Sequence, residues 1–503
     1  MFRIKTCLAA PVFALLMNGT AHAALTVDQV WQSWKDAGAL AGLTVSAATE
    51  NNDGGALTLN GVSITPTGGT GGVTISDMVL TEQADGSVTI VPGADIGADL
   101  TGDGSTGSVT LAHDGLALTA REGDAGALVY DYAAATLNVV YDTTYPGMPG
   151  LDGGAAKPVT AKGTVGFTDL AGSYSDTPGT NRTFGLALTA GKLAYDTASE
   201  DPGMELKTKA VSETSDVALS LDVAMPSTMS LLQIAAPADF GTALQEGLSV
   251  TMATRQGVSV GSTVQESPFM PMNMAIKAGA GEATGIFNKD TFTIQSKGDG
   301  LEVEVTSGMM PVPVKITSGP VVIGMTSPVM AGDVAGDFGL VMKLSQFTVN
   351  EEAWAMIDPG AALKRDPADL SIDLSGKTKL DVIALMTADD AGTEPVMPAP
   401  ESLEIKELVV KVAGAAIMGT GAFTFDNSTG VPMPLGEANV TLTGGNALID
   451  GLIATGVVTA EDAMGARMMM GAFMSPGAGP DELTSKIEAK AGGEIYVNGQ
   501  RVQ

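Results

Sequence analysis

Near the amino end of the chain, Val27, Val30, Trp31 and Trp34 recur at helical spacing. Thr26 and Gln29 stand three apart as a capping pair, and Gly38 and Gly42 end the run, so a helix is expected over 25–40. From about Ala56 the period becomes two. Leu57 to Gly61, Ser87 to Val91, Ser108 to Leu111, Thr183 to Leu188 and Asp216 to Leu221 alternate apolar with polar residues, as half-buried strands do. Asp85-Gly86, Asp114-Gly115 and Asp299-Gly300 read as hairpin turns between such runs. A second helix is expected over 227–245. Strands then resume at Leu301 to Val305 and Val312 to Ile316, the latter an edge or irregular segment because Pro311 and Pro313 withhold donors.

In the last third, Asn350 is placed to cap a short helix through Trp354 and Ile357, stopped at Asp358-Pro359-Gly360. Strands follow at Leu370 to Leu374, Leu403 to Val412 and Gly421 to Phe425. Two helices come next, at Ala447 to Ala454 and Ala460 to Phe473, the second opened by Thr459 and Asp462. Asn498-Gly499 marks a terminal hairpin. The fold class is therefore mainly β, an elongated antiparallel sheet, curled or sandwich-like, with short helices at 25–40, 227–245, 350–357 and 446–474. So few helices cannot cover the apolar face of so many strands. The sheet either closes on itself or leaves a trough fit for an acyl chain or an apolar peptide.

Composition changes the picture chiefly by exclusion. Arg3 and Lys5, an apolar run from Cys7 to Met17, and Ala21-His22-Ala23 form the pattern of a cleaved signal peptide over 1–23, which places the mature chain in the periplasm without a transmembrane anchor. Cleavage takes the only cysteine and leaves His113 as the only imidazole, so Cys nucleophiles and Cys/His zinc sites are excluded. A formal charge of −31 repels nucleic acid and anionic lipid surfaces. With 44% hydrophobic residues the chain is nonetheless globular.

Motifs that could carry chemistry are weak in context. Gly257-Val258-Ser259-Val260-Gly261 has the spacing of a nucleophile elbow, but neither a helical pattern nor a histidine follows it. Gly102 to Gly107 satisfies a dinucleotide fingerprint, yet a β-run starts where a helix is required. His113 sits beside a turn signal with no base partner evident in sequence. Asp95, Asp99 and Asp103 lack the alternate spacing and closing Glu of a calcium loop. Met270, Met272 and Met274, and then Met464, Met468, Met469, Met470 and Met474, offer thioethers to Cu(I); core packing is the favoured reading and implies that the helical group is buried. No catalytic, cofactor or metal residue is assigned.

Several segments resemble a known family. Ala353 to Pro359 with Arg365-Asp366-Pro367, Gly421 to Asn427, Leu442 to Asn446, Asp462 to Met469, Val497 to Gln500 and the early Val30 to Trp34 look like the bacterial family catalogued as domain of unknown function 2125. The resemblance covers 350–503 most specifically and implies an exported protein of unassigned role. The β-repeat texture is also similar to AsmA-like envelope proteins, a likeness that implies lipid handling. The organisation expected is thus a signal peptide over 1–23, a β-rich region of one or two modules over 24–349, and a β-rich region with a helical pair over 350–503. The function expected is non-catalytic binding of an apolar, lipid-like ligand. The alternatives are a scaffold contacting envelope proteins and a Met-based Cu(I) carrier.

Overall fold

The computed structural model describes residues 24–67, 71–102, 104–149, 154–229, 234, 237–330, 334–383, 385 and 398–503. The segment 1–23, Asp103 and most of the Pro-rich stretch 394–400 lie outside these residues. The chain divides into two units, Met1–Met274 and Ala275–Gln503, so the boundary expected at 350 falls inside the second. Strands dominate both units, and the register of each strand pair below is antiparallel.

The first unit opens with α1 (Val27–Leu40), whose capping box between Thr26 and Gln29 forms as read. Strands β1 (Leu43–Asn52), β2 (Ala56–Pro66) and β3 (Gly72–Glu82) form a meander beside it. Next, β4 (Val88–Pro92) and β5 (Ile96–Gly102) pair with the two ends of β3, so they are two halves of one strand. The same holds for β6 (Ser105–Asp114) and β7 (Ala117–Glu122), which share β8 (Leu128–Tyr145). Long strands follow: β9 (Val159–Thr177), β10 (Asn181–Asp201) and β11 (Leu206–Pro226). Helix α2 (Pro237–Gln245) comes next, shorter than the 227–245 expected; residues 227–229 form a turn, and 230–233 and 235–236 are outside the described residues. β12 (Ser249–Gln256) and β13 (Ser259–Glu266) then lie end to end along β11.

These strands bend on a common line. Asp169, Gly191, Asp216 and Gly257 face one another across β9 to β13, and Asp169 (φ 52°) and Asp216 (φ 50°) are left-handed there. A β-carbon on Gly191 would lie 3.0 Å from the Asp169 carboxylate, so the side chain of one strand occupies the space the next leaves empty. Gly115 (φ 66°) plays this bending part between β6 and β7. Asp114-Gly115 is thus a bend inside one long strand rather than a hairpin. A positive φ can deflect a strand as readily as reverse it.

A closed core fills the α1 end of this unit. Trp31, Trp34, Leu59, Ile75, Leu80 and Ile90 are among its buried members, and Trp34 donates its indole N–H to the Tyr130 hydroxyl at 3.3 Å.

The second unit begins within β14 (Met272–Ala278). β15 (Gly281–Phe287), β16 (Thr291–Gly298), β17 (Leu301–Ser307), β18 (Val314–Ser318) and β19 (Val321–Pro328) again come as halves. β16 pairs with β15 and β19, whereas β17 pairs with β18, so Asp299-Gly300 too is a bend and not a hairpin. β18 and β19 both rest on β20 (Gly336–Val349). Helix α3 (Glu351–Ile357) follows. Asn350 precedes it without capping it, because its side chain accepts from Lys315 N–H and donates to the Pro313 carbonyl.

A meander then runs through β21 (Ala368–Lys379), β22 (Ala399–Val412), β23 (Ala415–Asp426) and β24 (Met433–Thr443). Helices α4 (Gly445–Ala454) and α5 (Ala460–Phe473) come next, with Thr459 accepting from Asp462 N–H as read. β25 (Ser475–Pro476) and β26 (Glu482–Lys490) follow, and β26 completes the sheet against β24. β27 (Glu494–Val497) and β28 (Gln500–Arg501) close on Asn498-Gly499, both at positive φ, the hairpin foreseen.

Candidate functional site

Register sorts the two faces of the second unit by chemistry. Leu344, Leu370, Val410, Ile417, Leu442 and Leu483 stand opposite one another in a single row across β20 to β26. A second row joins Met342, Ile372, Leu408, Gly419 and Val440 before reaching Ser485. A third joins Leu340, Leu374, Ile405, Gly421, Ala438 and Ile487. A fourth runs Phe338, Gly376, Leu403, Phe423, Gly436 and Ala489. Ile323 and Met325 extend this field onto β19, and Ile294 onto β16.

The opposite face is ionic. Lys343–Glu407, Lys377–Asp337 and Lys486–Glu437 pair at 2.8 Å, and Lys411–Asp369 at 3.2 Å. Lys343 and Ser371 hold the Glu407 carboxyl below its usual range by hydrogen bonding. Such exposed pairs suit a face kept in water.

The apolar field is not covered as a core is. Among the described residues of this unit, the buried aliphatic, methionine and aromatic side chains larger than alanine are Val329 and Leu363. Ala438, Ser485 and Ala489 are buried toward β26, where Ser485 donates to the Phe473 carbonyl; the rest of the field is half-buried or, as at Ile323 (47%), Met325 (43%), Ile417 (40%), Ile294 (37%) and Val410 (37%), exposed outright. A hollow of about 540 Å³ touches Phe338, Gly376, Leu403 and Phe423 of the fourth row, and also Asp337, Ser375, Lys377 and Glu404, which register places in the rows of the ionic face. Exposed apolar surface of this extent is more than a scatter of single side chains.

The first unit is different. Beyond the bend, one face of β10, β11 and β13 carries Thr197, Ser199, Thr208, Ser212, Ser259 and Thr263, joined by Tyr141 and Tyr195 on the same side, and the other carries the exposed Val211, Val260 and Val264, with Val140 of β8. Burial, with Tyr195 beside it, pushes the Tyr141 phenol up to about 12. This hydroxyl-rich face offers little to an acyl chain.

The motifs singled out in sequence are dispersed. Gly257 lies at the bend and Ser259 to Gly261 lie in β13, where strand continues and no helix follows. Gly102 and Ser105 pair across the β5–β6 connection, a hairpin. His113 lies at the end of β6, its Nε2 3.0 Å from the Gly93 carbonyl, at a bend rather than a hairpin turn. Asp99 sits in β5, and Asp103 is outside the described residues. Among the described residues no group of three His, Cys, Asp or Glu could hold a metal. Met272 and Met274 share a face of β14. The helical methionines overturn expectation: Met464, Met468 and Met469 are 61%, 69% and 65% exposed, because α5 rests on its neighbours through Ala463 instead.

The chain is thus a mainly β protein whose second unit presents an open apolar sheet face. Residues 333–494, most of that unit, match a family described as uncharacterized proteins conserved in bacteria, DUF2125. No curated protein matches the chain. No helix among the described residues is long and apolar enough to cross a membrane.

The segments that carry the family resemblance hold the fold. Buried Asp358 accepts from Ala362 and Leu363 N–H at 2.9 and 2.8 Å, and Arg365 donates to its carbonyl and pairs with Glu351. Gly444 turns the chain from β24 into α4, whose first amides are capped by Asp481. Asn498 ties β26 to the end of α5, accepting from Lys486 N–H and donating to the Phe473 carbonyl. Sequence reasoning offered an uncovered apolar face as one alternative but could not place it, because its residues come from separate strands and meet only through register.

Proposed function

We propose that this is an exported, periplasmic, non-catalytic protein that holds the acyl chain of a lipid-like molecule on the open apolar face of its second unit. The observation that carries the reading is the largely uncovered field of three aliphatic rows and one of Phe, Leu and Gly, backed by an ionic face. Four alternate positions along a strand span about 20 Å, room for an acyl chain that reaches half of a roughly 30 Å hydrocarbon core, about 15 Å. The field is nearly free of hydrogen-bonding side chains, which suits a ligand without polar groups along its length and disfavours a peptide. Export rests on the signal-peptide pattern of residues 1–23.

Titration with a fluorescent fatty acid tests the reading. Saturable binding that is lost in Ile323→Glu/Met325→Glu is expected. Absence of saturable binding to the wild-type protein would refute it.

A further inference from the structure

Helix α5 exposes more apolar surface than its own packing accounts for. Of its 14 residues only Ala463 is buried. Met464, Met468, Met469 and Phe473 are 61%, 69%, 65% and 46% exposed, and Val457 just before the helix is 59% exposed. At about 100° per residue the four helical side chains spread over roughly half the cylinder, with Gly465 and Ala472 between them and Glu461 and Asp462 in the same arc at its amino-terminal turn. The other side carries Ala463 and Arg467, and Arg467 pairs with Asp450 of α4 at 2.5 Å. The helix therefore rests on α4 by a narrow edge and turns an apolar half outward. Single exposed hydrophobes are ordinary, but a contiguous group on one helix face marks an interaction surface.

We infer that this face docks a basic amphipathic segment of a partner protein. The charge around it selects that occupant. From Gly444 to Asp481 the acids are Asp450, Glu461, Asp462 and Asp481, and the only base is Arg467, already engaged by Asp450. Glu461 and Asp462 stand in the first turn of α5, at the amino-terminal end of the apolar face and within its arc. A helix that lies on a membrane surface carries Lys and Arg on its polar flank, and this flank is acidic within a chain of net charge −31. Methionine is unbranched and polarizable, so its side chains can reshape around the apolar ridge of an incoming helix. A partner with Leu or Phe anchors and Lys or Arg borders meets both the thioethers and the acids.

The test uses the full chain and a synthetic amphipathic Leu/Lys peptide of about 14 residues, the length of α5. Calorimetry is run with wild type, Met468→Glu/Phe473→Glu, and Ile323→Glu/Met325→Glu. Saturable binding is expected to fall about tenfold or more in the first variant, although that variant adds two negative charges that would strengthen attraction by charge alone. The second variant, altered on the sheet face, is expected to bind as wild type does, which separates this site from the lipid reading. Because the substituted α5 side chains are exposed, circular dichroism and the unfolding midpoint are expected to stay unchanged. Equal or tighter binding by Met468→Glu/Phe473→Glu overturns the proposal, as does no saturable binding by wild type. Sedimentation with phosphatidylcholine vesicles that the substitution abolishes and the peptide does not compete would assign the face to a bilayer instead.

Discussion

Truncating the same kind of side chain in the two units should have unequal cost. Leu59 is fully buried beneath α1, and Leu→Ala at such a site costs about 2–5 kcal/mol through lost transfer energy and a residual cavity. Ile323 is 47% exposed on the apolar field. Full burial of such a side chain is worth about 1.5–3 kcal/mol, so roughly half of that, near 1 kcal/mol, is at stake in Ile323→Ala, with no cavity contribution where the site is open. Urea unfolding followed by fluorescence reads both units, since Trp31 and Trp34 lie in α1 and Trp354 lies in α3. A saturating fatty acid should restore the difference. Ligand at a hundred times its Kd adds about 2.7 kcal/mol to the wild-type second unit and little to Ile323→Glu/Met325→Glu. A loss above about 2 kcal/mol for Ile323→Ala without ligand would mean that the field is sealed in solution, and the reasoning would fail.

Other consequences are local. Asp358→Ala removes a buried acceptor from the Ala362 and Leu363 amides and should cost about 1–3 kcal/mol in the Trp354 transition. Burial alone would raise the Asp481 carboxyl, but the Ala447 N–H and both Asn446 donors hold it below its usual range. A carboxyl lowered in the folded state contributes stability above its unfolded pKa, about 3.9, and loses it as pH falls through the folded value, so wild type should weaken below about pH 4 more steeply than Asp481→Asn. Asp216→Gly should be neutral or stabilising, as glycine adopts φ 50° without strain, whereas Gly257→Val should destabilise by crowding Ser215 and Asp216; thermal unfolding of the pair decides it. Met464 and Met468 lie one turn apart on an exposed helix, and two thioethers make a poor Cu(I) site, so a Cu(I) titration should show no saturable binding.

Elements with strong local signals were legible in the residues. The capping box of α1, the Thr459 cap of α5 and the Asn498-Gly499 hairpin each rest on contacts within a few positions. Asp114-Gly115 and Asp299-Gly300 misled because a positive φ does not say whether the chain reverses or bends; that depends on which strands pair on either side. Asn350 has the chemistry of a cap and spends it on β18 instead. Methionine in α5 looked like core because composition carries no information on which side of the helix meets a neighbour. The apolar field is the plainest case. Strands were read within β21, β22 and β23, whereas β20, β24 and β26 were not, and the continuity of Leu344 through Leu483 across six strands is a property of register alone.

Native mass spectrometry of the purified full-length protein, with organic extraction of whatever accompanies it, bears most directly on the open face. A reproducible acyl-chain adduct that disappears in Ile323→Glu/Met325→Glu is the expected result. A clean apo mass for wild type, with nothing in the organic extract, would contradict it.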